Sequence, residues 1–453
     1  MARTVKRRKS PPVRGSEVEL EATITELAPG GKGVAVVTLG ADRRAVFVRG
    51  AASGDRVKLL VDTRSRPARG RILQLLSASP TRVASPPCAW VDACGACDWM
   101  HVAPEGQRAA HEAHVRAALP AGARDAVPLT VHPSPTPLGY RTRARVHARA
   151  SGGRAIVGMN EAGTREPAEV DSCVILHPQL ESARRRLEAL FEGAHGRGEI
   201  QLGLGAARGE ERPAVLDVRW DNHLPGSFYG RVEGAVRDGW LAGAQVTAGE
   251  ARVPARIGDP TPWMLAGDGL PLRLAPGGFG QASDDGNGAL ARRVASLART
   301  ATTAKPDARV LELYAGAGNF TVLLAALGSP VTAVESSPES CEAARSNLLS
   351  RGLAAKAKIV AADASSFAIP AGTHLVILDP PRTGAREAVT RIVASSVRHV
   401  LYVSCDTQTL ARDLAVLEPS FAPASVDVFE LFAQTSHVEV VVHLVRTARP
   451  GRS

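Results

Sequence analysis

Nowhere in the 453 residues is there an uninterrupted run of 18 or more apolar residues, the length a membrane-spanning helix needs. The N-terminus also lacks the short apolar core of a secretion signal, so a cytoplasmic protein with no membrane partner is expected. Cysteine is scarce, with six in the chain: Cys88, Cys94, Cys97, Cys173, Cys341 and Cys405. In a chain of this size without a secretion signal they are expected as thiols, which brings metal binding and catalysis forward at the expense of disulfides. Repeats of solenoid period are absent. Acidic residues are missing from the first 14 positions, which hold six basic side chains and read as a disordered basic arm.

What is present is enough for two or three domains with full cores, since 44% of residues are hydrophobic and 22% charged. A net charge of +10 favours polyanionic partners through phosphate neutralisation. Arginine greatly outnumbers lysine and alanine is abundant, so compositional bias accounts for part of that charge.

Residues 15–77 read as short alternating strands with glycine turns: Val18–Ile24, Gly33–Val37, Ala45–Val48 and Arg56–Val61. This spacing suits a small barrel of the oligonucleotide-binding type. Residues 78–285 form a central mixed α+β domain. In it, Tyr140–Val146 sets Arg141, Arg143 and Arg145 at period two, on one strand face that suits phosphate contact or plain solvation. From about residue 305 strands and helices alternate, so residues 286–453 are expected as an α/β domain with a doubly wound, Rossmann-like sheet. Its last strand, Val438–Leu444, follows Asp427–Phe432 too closely for a crossover helix and is expected to pair antiparallel.

The chemistry concentrates at the predicted strand ends. Glu312-Leu313-Tyr314-Ala315-Gly316-Ala317-Gly318-Asn319-Phe320 closes the first strand, where two glycines let the backbone approach a ligand. A dinucleotide site would want a third glycine at position 321, and Thr321 stands there instead. Glu335 ends the second strand, placed to accept from ribose hydroxyls, and Asp363 follows the third, placed to meet an adenine edge. The set favours S-adenosylmethionine over NAD. Asp379-Pro380-Pro381-Arg382 ends the fourth strand in a rigid turn that presents a carboxylate to the crevice. Such turns serve methylation of exocyclic amines as well as of carbon.

Ser404-Cys405-Asp406 ends the fifth strand. A lone cysteine after a strand is most often a small buried hydrophobe. Here it falls on the ligand edge, where a thiolate has a use: carbon 5 of uracil is a poor nucleophile until a thiolate adds at carbon 6. Release of the thiol then needs a base for the carbon-5 proton, and Glu439 at the head of the last strand is the candidate. A further pattern, Cys88-x5-Cys94-x2-Cys97 with a distant Cys173, suits an iron–sulfur cluster better than the two close pairs usual for zinc, which stays open. Cys341 lies in a predicted helix, Pro338–Leu349, as inert packing.

Together these residues resemble the RNA uracil-5 methyltransferase family, above all its bacterial 23S rRNA enzymes with a TRAM domain and a 4Fe–4S cluster. The resemblance covers nearly the whole chain and is densest over 88–101, 139–145 and 309–440. It implies a TRAM barrel followed by a cluster-bearing domain and a class I methyltransferase domain. Cys88, Cys94, Cys97 and Cys173 match the cluster ligands. Gln281, Tyr314, Asn319, Glu335 and Asp363 match cofactor-site positions, and Asp379 the junction of cofactor and base. Cys405 matches the nucleophile and Glu439 the general base. The implied substrate is a uridine of 23S rRNA in a single-stranded loop, flipped into the pocket of a monomeric enzyme. Two departures stand out: Gln281-Ala282-Ser283 where the family has Gln-Val-Asn, and Glu430-Leu431-Phe432-Ala433-Gln434 without the usual Asp and Pro. The competing readings are a tRNA substrate, an exocyclic-amine methyltransferase using Asp379-Pro380-Pro381, and an RNA-binding protein that holds the cofactor without turnover.

Overall fold

The computed structural model describes residues 17–305 and 307–447; the basic arm lies outside them. The described residues divide into two compact units, 17–86 with 98–110, and 87–97 with 111–447.

The first unit is built on a six-stranded sheet of Glu17–Thr23, Glu26–Leu27, Gly33–Leu39, Asp42–Val48, Arg56–Asp62 and Ala68–Ser77. In space the strands run first, fifth, sixth, fourth, third, second. Period-two alternation puts Val46, Val48, Val57, Leu59 and Val61 on one inward face with Ile24 and Ala35. Below that core, Asp55 is fully buried and receives Arg82 Nη2 at 2.6 Å and the N–H groups of Ala52 and Ser79. Burial alone would raise its carboxyl, and these donors, Arg82 first, more than offset it and hold it below the ordinary value. Residues 98–110 were expected in the central domain, yet they pack here. Trp99 is fully buried with Leu27, Ala52 and Val102, and its indole N–H donates to the Gly31 carbonyl at 3.2 Å.

The second unit holds two large sheets. One has six strands in the order Ala255–Gly258, Leu241–Ala248, Ala214–Trp220, Gly196–Leu204, Arg143–Ser151, Arg154–Gly158. Helices Pro178–Arg184 and Gly226–Arg237 and the turn Leu187–Leu190 cover one face, around Phe191, Phe228, Ile200 and Val218. The arginine row behaves differently from expectation. The strand starts only at Arg143, whose guanidinium is enclosed and donates from Nη2 to the Gly278 carbonyl at 2.9 Å. Arg141 lies 5.9 Å from the Phe432 ring, and Arg145 alone stays open, bonded to Glu199 at 3.1 Å. A further group of cations, Arg149, Arg165, Arg197 and Arg219, lines a separate cavity beside this sheet.

The other sheet has eight strands in the order Ala357–Ala361, Val331–Glu335, Arg309–Leu313, Thr373–Leu378, His399–Ser404, Glu439–Arg446, Phe421–Phe429, Leu129–His132. The first five are mutually parallel, and Glu439–Arg446 pairs antiparallel with both neighbours, as expected. Alternate residues feed two cores. Leu311, Leu313, Val376, Leu378, Val400 and Tyr402 face helices Arg386–Ala394 and Thr407–Leu417. Val310, Leu375, Ile377, Leu401 and Val403 face helices Asp284–Thr302 and Thr321–Ala326. This two-sided burial explains why the strands read as continuous apolar runs. The edge strand Leu129–His132 comes from the stretch expected to belong to the central domain; four residues carry too little pattern to reveal a partner so far along the chain. Cys341 is fully buried in its helix, as expected. No helix among the described residues is long and apolar enough to cross a membrane.

Candidate active site

Five parallel strands end on one edge of the eight-stranded sheet, and each end carries a side chain singled out from sequence. Where strand order reverses, between Arg309–Leu313 and Thr373–Leu378, the crevice of a doubly wound sheet opens. The loop after the first strand turns sharply there. Tyr314 adopts φ 63° and Gly316 and Gly318 adopt 55° and 82°. A side chain at 318 would also press on Ala344 of the neighbouring helix at 3.2 Å, so glycine is needed for both conformation and packing. A non-glycine residue at positive φ costs about 1–2 kcal/mol, and such strain gathers at ligand sites.

Glu335 ends the second strand and is held from both sides. Its Oε2 accepts from Gly316 N–H at 2.9 Å and its Oε1 from Ser337 N–H at 2.8 Å, which fixes the carboxylate against the glycine turn. Asp363 is exposed after the third strand; Ser365, through hydroxyl and N–H, holds its carboxyl below the ordinary value. Asn319 is locked by a reciprocal amide pair with Asn287: Asn287 Nδ2 donates at 3.0 Å and Asn319 Nδ2 donates back at 2.7 Å. Asn287 was missed from sequence because nothing local marks it. Gln281 is buried just ahead of the helix that carries Asn287. Thr321, standing where a third glycine was sought, donates its hydroxyl to Glu312 at 2.6 Å. Burial pushes Glu312 up to about 8, so Thr321 serves a buried acid under the loop.

The departure at Ala282-Ser283 has a physical equivalent. Ser283 caps helix Asp284–Thr302, accepting from Gly286 N–H at 3.1 Å, and serine and asparagine cap about equally well. The Ala282 carbonyl accepts from Thr142 N–H at 2.8 Å, a bond indifferent to the side chain.

Cys405 and Glu439 meet through strand register. Ser404 pairs with Val440 and Glu439 pairs with Phe429, so the residue after Ser404 comes opposite the one before Val440. Glu439 is 2% exposed and its Oε1 has no hydrogen-bond partner. Burial and the neighbouring Asp379 carboxyl raise Glu439 well above the ordinary value, against the opposing Arg382 guanidinium. Burial raises Asp379 too. Two desolvated carboxyls side by side each make ionisation of the other harder. The Cys405 thiol is pushed up to about 11, by burial first and then by Glu439 and Asp379, while Arg382 opposes this with its charge and a hydrogen bond to sulfur. Arg382 had been noted only as the end of a turn motif; the fold brings its charge within reach of both Cys405 and Glu439. Asp406, the carboxylate next to Cys405 in sequence, is committed elsewhere. Its Oδ1 caps helix Thr407–Leu417, accepting from Gln408 N–H at 3.0 Å and Thr409 N–H at 2.8 Å.

The four remaining cysteines, Cys88, Cys94, Cys97 and Cys173, are partly buried. Burial raises the Cys97 thiol, and Cys173, Cys94 and Cys88 all add to it, so each of the three lies within electrostatic reach of Cys97. Among the described residues no three of His, Cys, Asp and Glu are arranged to hold a metal ion as they stand.

Comparison with known proteins bears on this arrangement. The family model described as tRNA (Uracil-5-)-methyltransferase matches residues 365–447, the segment with Asp379, Cys405 and Glu439. The 23S rRNA (uracil(1939)-C(5))-methyltransferase RlmD of Alkalilimnicola ehrlichii is 32% identical over 95% of this chain and 97% of its own. Its namesake in Halomonas elongata is 31% identical over 95% and 90%. The solved structure of Pyrococcus abyssi tRNA (uracil-54, C5)-methyltransferase in complex with S-adenosyl-L-homocysteine covers 94% of this chain and 100% of that one. Its TM-score is 0.70 at 21% identity, a likeness of fold. With the strand-end constellation in place and relatives of this similarity along nearly its whole length, the chain belongs to the S-adenosylmethionine-dependent RNA (uracil-5-)-methyltransferase family.

Proposed function

We propose that the chain methylates carbon 5 of a uridine in 23S rRNA through a covalent Cys405 intermediate, with Glu439 as the base. The observation that carries this reading is Cys405 placed across one strand pair from a buried carboxyl with an unpartnered oxygen, with Arg382 between them electrostatically. S-adenosylmethionine would lie on the glycine turn. Gln281, Tyr314, Asn319, Glu335 and Asp363 would hold it, with Glu335 on the ribose and Asp363 at the adenine edge. The flipped uracil would enter beside Asp379. The Cys405 thiolate adds to carbon 6, and the enolate electrons pass through carbon 5 to the methyl carbon as the neutral thioether departs. Glu439 takes the carbon-5 proton, the double bond re-forms and the thiolate leaves. Arg382 supports the thiolate, and Glu439 must be a carboxylate when it takes the carbon-5 proton, so a proton shared by the two buried carboxyls resides on Asp379 at that step.

The relatives' names favour 23S rRNA as the substrate, and the arginine-lined cavity on the six-stranded sheet is a surface suited to its phosphates. Purified protein with labelled cofactor should form 5-methyluridine in a 23S rRNA transcript, read by mass spectrometry of nuclease digests. Methylation of tRNA alone would reassign the substrate, and methylation at an exocyclic amine would overturn the reaction.

Cys88, Cys94, Cys97 and Cys173 suit a 4Fe–4S cluster in their donor chemistry, an all-sulfur set in which the other three act electrostatically on Cys97. Its role here is structural, tying the Cys88–Cys97 loop to Cys173. Protein purified without oxygen is expected to be brown, with iron and acid-labile sulfide each near four per chain. Stoichiometric zinc without sulfide would exclude the cluster.

A further inference from the structure

The segment Glu430–Ser436 leads into Glu439 and is buried for its length apart from a half-buried Phe432, and it turns through Gln434 at φ 71°. A buried glutamine in the left-handed region persists only where its surroundings over-determine it. Here they do, from several directions. Tyr140, 5% exposed, donates its hydroxyl to the Ala433 carbonyl at 3.1 Å. Arg141 stands over the Phe432 ring. His111 is 1% exposed and spans the loop, with Nδ1 3.2 Å from Glu430 Oε1 and Nε2 3.0 Å from the Thr435 carbonyl. Glu430 N–H donates to the His132 carbonyl at 3.0 Å, and Thr435 Oγ1 to the Phe432 carbonyl at 2.7 Å.

Glu430 meets His111, and Ala433 offers Tyr140 its carbonyl, both within the segment that lacks the family's usual Asp and Pro. The backbone on either side of Tyr140 is bonded to the residues that follow Cys173: Gly139 N–H donates to the Val174 carbonyl and Arg141 N–H to the Ile175 carbonyl, each at 2.9 Å.

We infer that Tyr140 is a positioning residue for Glu439: its hydroxyl, bonded to the Ala433 carbonyl, transmits the placement of the four-cysteine region to the loop that delivers the base. The inference rests on Glu439 being the base. The hydroxyl touches no reacting atom, so its loss should affect the one step in which Glu439 acts. That step is removal of the carbon-5 proton, after the methyl has already moved.

The test is Tyr140→Phe in the full-length, anaerobically purified protein, which keeps the ring and deletes the hydrogen bond. We expect kcat to fall roughly tenfold, the scale of leaving one buried carbonyl unsatisfied. The Kd values for cofactor and RNA should change by less than about twofold, while KM for RNA should fall together with kcat because the slowed step follows adduct formation. The deciding readout is the fraction of protein trapped as a covalent RNA adduct on denaturing gels, which should rise above wild type. His111→Gln loosens the same loop from its other anchor and should give the same signature, so the inference stays testable if Tyr140→Phe folds poorly. Normal turnover without adduct in Tyr140→Phe, or a fall in kcat with no gain in adduct, overturns the inference. Glu439→Gln run beside them separates the two readings. If it traps adduct while Tyr140→Phe does not, positioning by Tyr140 fails alone; if it turns over normally, the assignment of the base fails as well.

Discussion

Cys405→Ala should abolish methylation and every covalent RNA adduct while leaving cofactor binding intact. Without the thiolate, carbon 5 has no enolate electrons to offer, and the loss should be on the order of 10⁴-fold or more, as for other deleted nucleophiles. The side chain is partly exposed at a strand end, so its truncation leaves the two cores of the sheet whole. Calorimetric binding of S-adenosylmethionine checks that the site survives. The wild-type enzyme carries a related pH signature. Because burial and the two carboxyls push the thiol up to about 11, the thiolate fraction of the empty site rises about tenfold per pH unit below that value. The rate of adduct formation with 5-fluorouridine RNA should therefore climb between about pH 7 and 9. Near-normal methylation by Cys405→Ala would sink the covalent route and favour an exocyclic amine presented to Asp379.

Glu439→Gln should do the opposite to the adduct. Addition and methyl transfer precede the step at which Glu439 acts, so the variant should transfer one methyl and then stall. Protein–RNA adduct should accumulate on denaturing gels, with release slowed by roughly 10²–10⁴-fold, the range for a lost general base. Glutamine nearly matches the buried carboxyl in shape, so the pocket should hold. A 5-fluorouridine substrate should trap wild type in the same state, because fluorine at carbon 5 cannot leave as a proton. Normal turnover by Glu439→Gln, with no adduct, would move the base elsewhere. Asp406 is spent as a helix cap, so Asp379, which shares the buried pocket, becomes the next residue to replace.

The misread parts of the sequence share a cause. Arg141, Arg143 and Arg145 alternate as an exposed strand face would, and alternation shows which residues share a face without showing what covers it. Loops carrying Gly278 and Phe432 come from far along the chain to enclose two of the three. Trp99 was grouped with its neighbours in sequence, yet its indole lies among the strands of the first unit. The departures at Ala282-Ser283 and in Glu430–Gln434 stood out against the family's pattern. In place, one is an equivalent helix cap and the other an anchor for His111.

Sequence alone determined the alternating strand and helix of the methyltransferase half, the antiparallel last strand, and the position of the candidate site residues at strand ends. These are local properties: a buried parallel strand must be apolar throughout, and a loop that approaches a cofactor must be free of side chains where it turns. The family was legible for the same reason, because its chemistry sits in short contiguous motifs. Only the tertiary structure decided that Asn287 would lock Asn319, that Arg382 would face both Cys405 and Glu439, and that the Glu430–Ser436 loop would be held by His111 and Tyr140. Those relations depend on sheet register and on packing between distant segments. No periodicity within a single element records them.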